Sequence, residues 1–376
     1  MVSAIVPSLP ADGVPAVKAD LRSNLAAAKS EIEALQAQTA AFPTAALNGM
    51  RNRIINGEFL FAQRGVSTAI PNTGVVTFGP DRWWAVTAAG GALYTLNNAS
   101  TGTPAIEHLS FGNVTVTTNK AALAAGDSHT LCQSIEGYNC GDFFWGAVGA
   151  KSVVLSFWVL STIAGSYAIR LDNGVASPYQ SYVAQYTVSS ANVWEYKSVV
   201  VPGPTSGTWV GNSSAAYVRI LYDLGSGTTF SGPANAWSGS VYNTFTGATK
   251  LVSVASAQLN ITGVQLEVGT AATHWDYRIG AFEFALCQRY YQQVATSARF
   301  NATGAAQALS VPTTFPVSMR AGPTSVFAAG GSTLNLSATD TYVPTSALGG
   351  RHEIISGSAG DTYALSRLVN LTAELT

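Results

Sequence analysis

The chain has 376 residues, 47% hydrophobic and only 10% charged, which supplies apolar material for two sizeable cores and little charge for a surface. Its 19 basic and 20 acidic residues leave no basic excess for a phosphate backbone, which argues against a nucleic-acid partner. No apolar run reaches the roughly 18 residues of a membrane-crossing helix, and the opening MVSAIVPSLPADG lacks both a basic region and a long apolar core, so neither membrane insertion nor a secretion leader is expected.

From Leu21, the positions Leu25, Ala28, Ile32 and Leu35 follow at spacings of four, three, four and three, the pattern of a heptad seam, and Pro43 stops the helix. About three heptads are marginal for an isolated helix in water. The seam therefore predicts self-association through these five residues; a single amphipathic helix packed on its own β domain is the alternative. The helical leader is assigned to 1–46, a β-sandwich to 47–280, and a linking helix with a C-terminal β domain to 281–376.

Beyond the leader, 36 glycines with abundant Thr, Val, Ser and Tyr predict a mainly β chain of short strands and tight turns. Strands are expected at LCQSIE, KSVVLSFWVLS, SYAIRLDNG, WEYKSVVVP and AYVRILYDLGSG, spaced as in a sandwich or jelly roll. In KSVVLSFWVLS, Val153, Leu155, Phe157 and Val159 face one way and Val154, Trp158 and Leu160 the other, so this strand should be central. Asp172-Asn173-Gly174 signals a hairpin turn. In GVQLEVG, Val264, Leu266 and Val268 alternate with Gln265 and Glu267, as in a half-buried strand with one polar face. Phe282, Leu286 and Tyr290 then recur every fourth residue, with Cys287 beside them, as one face of a short docking helix.

Little of this suggests catalysis. Three cysteines without CxxC spacing argue against a disulfide framework or a zinc site, and a reducing cytoplasm is the expected place of synthesis. His108, His129, His274 and His352 are scattered, without metal-ligand spacing, and read as turn or surface residues; no metal and no cofactor is expected. For glycoside hydrolysis the best carboxylate pairs are Glu136 with Asp142 and Asp172 with Asp223. Binding suits the composition better: sugar rings stack their C–H faces on aromatics while polar side chains bond the hydroxyls. Candidate glycan contacts are Trp145, Tyr182, Trp209, Trp237 and Tyr242, expected in polar loops, with Tyr342 and Arg351 in the turn-rich TDTYVPTSALGGRHE.

Several phrases resemble a known module: RIINGEFLFAQRG with Asn56-Gly57 and Arg64-Gly65, PDRWWAV at Pro80–Val86, GVQLEVG at Gly263–Gly269, LCQRYY at Leu286–Tyr291, and FPVSMRAGP at Phe315–Pro323. Together they are similar to the bacteriophage and prophage tail-fibre, receptor-binding family, and PADGVPAVKADLRSNLAAAKSEIEALQA resembles the leader ahead of such modules. The resemblance implies a homotrimer, attached through its N-terminus to other tail or baseplate proteins of the virion after assembly in the host cytoplasm. Its β domains would bind bacterial surface polysaccharide or lipopolysaccharide without cleaving it. A structural head, collar or baseplate fibre without a receptor, and a glycan depolymerase, are the competing readings.

Overall fold

Alternating strands of the kind expected above build two antiparallel sheets, and all six predicted strands are present. The computed structural model describes residues 25–30, 32, 50–88, 91–104, 108–174, 176–328 and 330–376. One sheet has six strands in the order Ser67–Ile70, Leu93–Ala99, Phe111–Thr118, Gln258–Val268, Val153–Ser161, Glu195–Val201. The other has seven: Trp237–Ser238, Ser181–Val188, Gly165–Asp172, Ala216–Ser226, Ser128–Glu136, Trp84–Ala88, Thr77–Phe78. This order, with strands far apart in sequence lying side by side, makes a jelly-roll-like sandwich. Leu155, Phe157 and Val159 of the first sheet and Ile169, Ile220 and Tyr222 of the second belong to one buried core, each side chain contributing about 1.5–3 kcal/mol by leaving water. Phe157 meets both Tyr186 and Tyr222 edge-on, at 5.2 and 5.4 Å between ring centroids.

The Val153–Ser161 strand lies one in from the edge of its sheet, paired on both sides, as its two apolar faces required. Asp172-Asn173-Gly174 does open the connection between paired strands, although the loop runs on to Gln180. Gly174 N donates to Asp172 Oδ1 at 2.7 Å, and the Asn173 amide satisfies the carbonyls of Ala176, Pro178 and Thr208.

Beyond the sandwich, helix Gly280–Gln288 leads into a four-stranded arrangement in which Gly360–Thr372 pairs with Tyr291–Ala302, Thr324–Phe327 and Ser332–Leu334. A three-stranded sheet follows, Ala308–Thr314, Gly349–Ile355 and Thr341–Pro344. The helix seats itself differently from its four-residue spacing. Phe282 is exposed, whereas Cys287 is buried and Phe284 packs on Phe61 at 5.1 Å; Tyr290 is buried past the helix end. The reason is geometric: Tyr290 is no longer helical, so it does not share a face with Phe282.

Four of the phrases that carry the resemblance, at 53–65, 80–86, 286–291 and 315–323, meet where the sandwich joins the C-terminal sheets. Asn56 adopts a left-handed φ of 58° and bonds the carbonyls of Phe61 and Asp81, while Trp83 stacks on Phe59 at 4.3 Å and donates to Asn56 O. Arg82 lies over the Tyr290 ring at 3.5 Å and pairs with Glu374, which Arg64 also reaches at 3.1 Å. Arg289 holds Glu136 in a fork at 3.1 and 2.5 Å, and Arg320 caps the carbonyls of Ser214, Ala373 and Glu374. These landmark residues are architectural.

Contacts divide the chain between Arg51 and Asn52. In the first part, residues 25–30 and 32 are helical, with Leu25 and Ile32 exposed and Ala28 half-buried. Leu21 and Leu35, the other positions of the expected seam, lie outside the described residues.

Candidate functional site

The polar face expected of GVQLEVG is not on the surface: Gln265 and Glu267 are each 1% exposed. The correction has a local cause. The strand bulges between Thr262 and Gln265, and the segment after it folds back over its outer face. Glu267 Oε1 accepts the Thr273 backbone N–H at 2.8 Å and Oε2 accepts its hydroxyl at 2.7 Å, while Gln265 Oε1 accepts the Asp276 N–H at 2.9 Å. Two buried side chains thus pin the Thr273–Asp276 loop, and with it His274 and Trp275.

Glycine fixes both sides of this loop. At Gly263, φ is +59°, and a Cβ would lie 2.7 Å from His108 Cε1. A Cβ on Gly57 would lie 2.4 Å from the Val264 carbonyl oxygen and 3.2 Å from the Trp275 ring. His108 packs edge-on against Trp275 at 5.4 Å, and its Nδ1 sits 3.0 Å from Glu58 Oε1.

The result is an open groove of about 320 Å³ on the outer face of the six-stranded sheet. Its floor and walls are Ser156 and Trp158 from one strand, Tyr196 from the next, Gly263 and Gln265 from the bulged strand, and His108, Thr273, His274 and Trp275. Trp158 and Tyr196 are register partners, with rings 5.5 Å apart. Three aromatic rings therefore meet polar side chains in a concavity of ligand size.

Of the residues expected to touch glycan, four gather elsewhere. Trp145, Tyr182, Trp209 and Trp237 form an aromatic cluster with Tyr217 and Phe143: Trp145 lies 4.7 Å from Trp209 and 5.5 Å from Trp237, and Tyr182 5.3 Å from Trp237. Exposure in polar loops is corrected for Trp145 and Tyr182, both 5% exposed; Trp209 and Trp237 are half-buried against the main core. Each indole N–H is occupied by a carbonyl, Lys151 O, Ser206 O and Pro202 O respectively. Tyr242 is half-buried over Gly232, beside Phe245 and Ala248.

TDTYVPTSALGGRHE is a strand pair rather than a run of turns, because Thr341–Pro344 and Gly349–Ile355 zip together. That pairing turns Tyr342 inward onto Thr313, and leaves Arg351 exposed and paired with Glu353. The surface placement expected of the histidines is corrected for three: His108, His129 and His352 are buried, the last two bound to Gly225 O at 2.9 Å and Asp340 Oδ2 at 3.0 Å. Burial was invisible because the groups they bond, Glu58, Gly225 and Asp340, stand 50, 96 and 12 residues away along the chain.

The four weighed carboxylates are held by cations: Glu136 by Arg289, Asp142 by Arg53 at 2.7 Å, Asp172 by Arg170 and Arg219 at 2.6 and 2.8 Å, and Asp223 near Lys250 at 3.9 Å. Asp223 is also buried, which raises its pKa above the ordinary value. The three cysteines are free and buried. Among the described residues no cluster of His, Cys, Asp and Glu could hold a metal, and no helix is long and apolar enough to cross a membrane.

Sequence reasoning passed over Trp158, Tyr196, Trp275 and His108 as ligand residues. A signal existed in the alternation that sets Trp158 on the face away from Leu155 and Phe157, but only the register with Tyr196 makes it half of a pair.

No family model and no curated protein matches the chain. Among solved structures it is similar to the enzymatically active domain of tailspike protein 4 of bacteriophage CBA120, at 13% identity over 58% of this chain and 22% of that one, with a TM-score of 0.30. It is also similar to a putative sugar binding protein from Bacteroides thetaiotaomicron, at 11% identity over 58% of this chain and 100% of that one, TM-score 0.34. A third is the family 11 carbohydrate-binding module from Clostridium thermocellum in complex with a mixed-linked tetrasaccharide, at 12% identity over 55% and 98%, TM-score 0.28. The chain thus spans about a fifth of the tailspike domain's length.

Proposed function

We propose that the chain is a non-enzymatic, homotrimeric virion fibre that binds glycans on the bacterial surface, its N-terminal segment fixed to other tail or baseplate proteins. The observation that carries this reading is the aromatic groove: Trp158, Tyr196 and Trp275 offer faces for sugar C–H groups in an open concavity whose polar groups are pinned in place. The exposed Leu25 and Ile32 support self-association through the helical leader. Three weak sites on one particle act together, and tethering of this kind strengthens binding by roughly 10² to 10⁴.

The test is sedimentation of labelled full-length protein with candidate host cells, before and after periodate oxidation of surface sugars. Binding lost after periodate, and lost in Tyr196→Ala, is the expected result. Failure to bind any host the phage infects supports the second reading, a purely structural fibre, which gains from the architectural role of the family landmarks.

A further inference from the structure

The groove holds a second piece of information, in the charges it lacks. Among the described residues, none of its lining side chains is an Asp, Glu, Lys or Arg. The cation nearest along the chain, Lys197, follows Tyr196 on a strand and so points to the opposite face, where it pairs with Glu195 at 2.6 Å. Two buried carboxylates are bonded to lining residues: Glu58, 3.0 Å from His108 Nδ1, and Glu267, 2.7 Å from Thr273 Oγ1.

A sugar bearing a carboxylate or phosphate must exchange its hydration for charge-assisted bonds, most effectively from Arg or Lys. This groove has none to give, and the formal charges bonded to its lining are of the wrong sign. Uncharged pyranose rings need only what it offers: aromatic faces at Trp158, Tyr196 and Trp275, the hydroxyl of Ser156 and the imidazole of His108. Building on the glycan-binding reading above, we propose that the ligand of this groove is an uncharged glycan segment, and that uronic-acid and phosphorylated sugars are excluded from it. Arg351, the cation among the candidate glycan contacts, lies on the hairpin of the C-terminal sheet and is paired with Glu353.

Affinity electrophoresis of the full-length protein tests this at about pH 8, above the usual titration range of imidazoles. The probes are gels containing β-glucan, galactan or mannan, set against polygalacturonate, alginate or hyaluronan. Retardation is expected in at least one neutral gel, to change by less than about twofold between about 0.05 and 0.5 M NaCl, and to disappear in Tyr196→Ala and Trp158→Ala.

Retardation confined to the anionic gels, or abolished by salt, overturns the proposal while leaving glycan binding intact. So does binding to periodate-sensitive sites on host cells by a protein that no neutral gel retards. Retardation in a neutral gel that survives both substitutions removes the assignment to this groove. Absence of any periodate-sensitive cell binding overturns the broader reading, and this inference with it. Circular dichroism of Tyr196→Ala, a change at an exposed edge-strand position, separates loss of binding from loss of fold.

Discussion

Arg289 and Glu136 are joined by two hydrogen bonds across the junction of sandwich and C-terminal sheets, and Tyr290 adds a third to the same carboxylate at 2.7 Å. Residues 153 positions apart are thereby fixed by a fork that only an arginine can make. The hydrogen bond to Glu136 is also the main cause that raises the Arg289 pKa.

Removing the cation leaves Glu136, 1% exposed, without its partner. Arg289→Met is expected to cost about 2–4 kcal/mol, at the lower side of the range for broken buried pairs because Arg289 itself is partly exposed. Urea denaturation followed by tryptophan fluorescence measures it; a loss below about 0.5 kcal/mol would make the fork a surface ornament.

The junction should also titrate. Burial lifts the Asp81 carboxyl from an ordinary 3.8 to about 6, against the opposing pull of hydrogen bonds from Gln63 and the charge of Arg64. The folded chain then holds this proton more tightly than the unfolded chain, so the ionised carboxylate costs stability above about pH 6, and that cost is relieved as pH falls toward about 4. Relative to Asp81→Asn, the natural protein should gain on the order of 2 kcal/mol between about pH 7.5 and 4.5. Parallel denaturation profiles for the two proteins would show that Asp81 is not the group responsible.

Gly263→Ala tests the bulge. The substitution places a Cβ 2.7 Å from His108 in a left-handed backbone, which should cost about 1–3 kcal/mol and displace His108 from the groove. Glycan binding should fall with stability. A variant as stable as the natural chain would mean that the bulge tolerates a side chain there.

The two aromatic groups should separate function from fold. Trp237→Ala empties part of a packed cluster and should lower stability by about 2–4 kcal/mol without changing cell binding by the folded fraction. Tyr196→Ala should reduce cell binding by at least about tenfold while shifting stability by less than about 1 kcal/mol. The reverse pattern would return the binding site to Trp145, Trp209 and Trp237.

Self-association has its own check. Leu25→Asp with Ile32→Asp sets charge on two exposed positions of the proposed seam, where a coiled coil would bury them. Sedimentation equilibrium should show trimers for the natural chain and monomers for the double variant. An unchanged mass for the variant would place the association elsewhere in the chain.

By itself the sequence determined the strands and their buried sides. A period of two is local, so Leu155, Phe157 and Val159, or Val264 and Leu266, declare their face without reference to any partner. The Asp172-Asn173-Gly174 turn and the helix ahead of Tyr290 were legible for the same reason. Only the tertiary structure decided which polar residues went inside and which aromatics stayed out. Gln265 and Glu267 are buried because a loop closes on them, His352 because Asp340 waits across a hairpin, and Trp145 because Trp209 arrives from a distant loop and Trp237 from the edge strand of the seven-stranded sheet. Trp158 faces the groove for a complementary reason: its place beside Tyr196, with Trp275 brought in by the pinned loop, is a matter of strand register and long-range closure, which local periodicity does not encode.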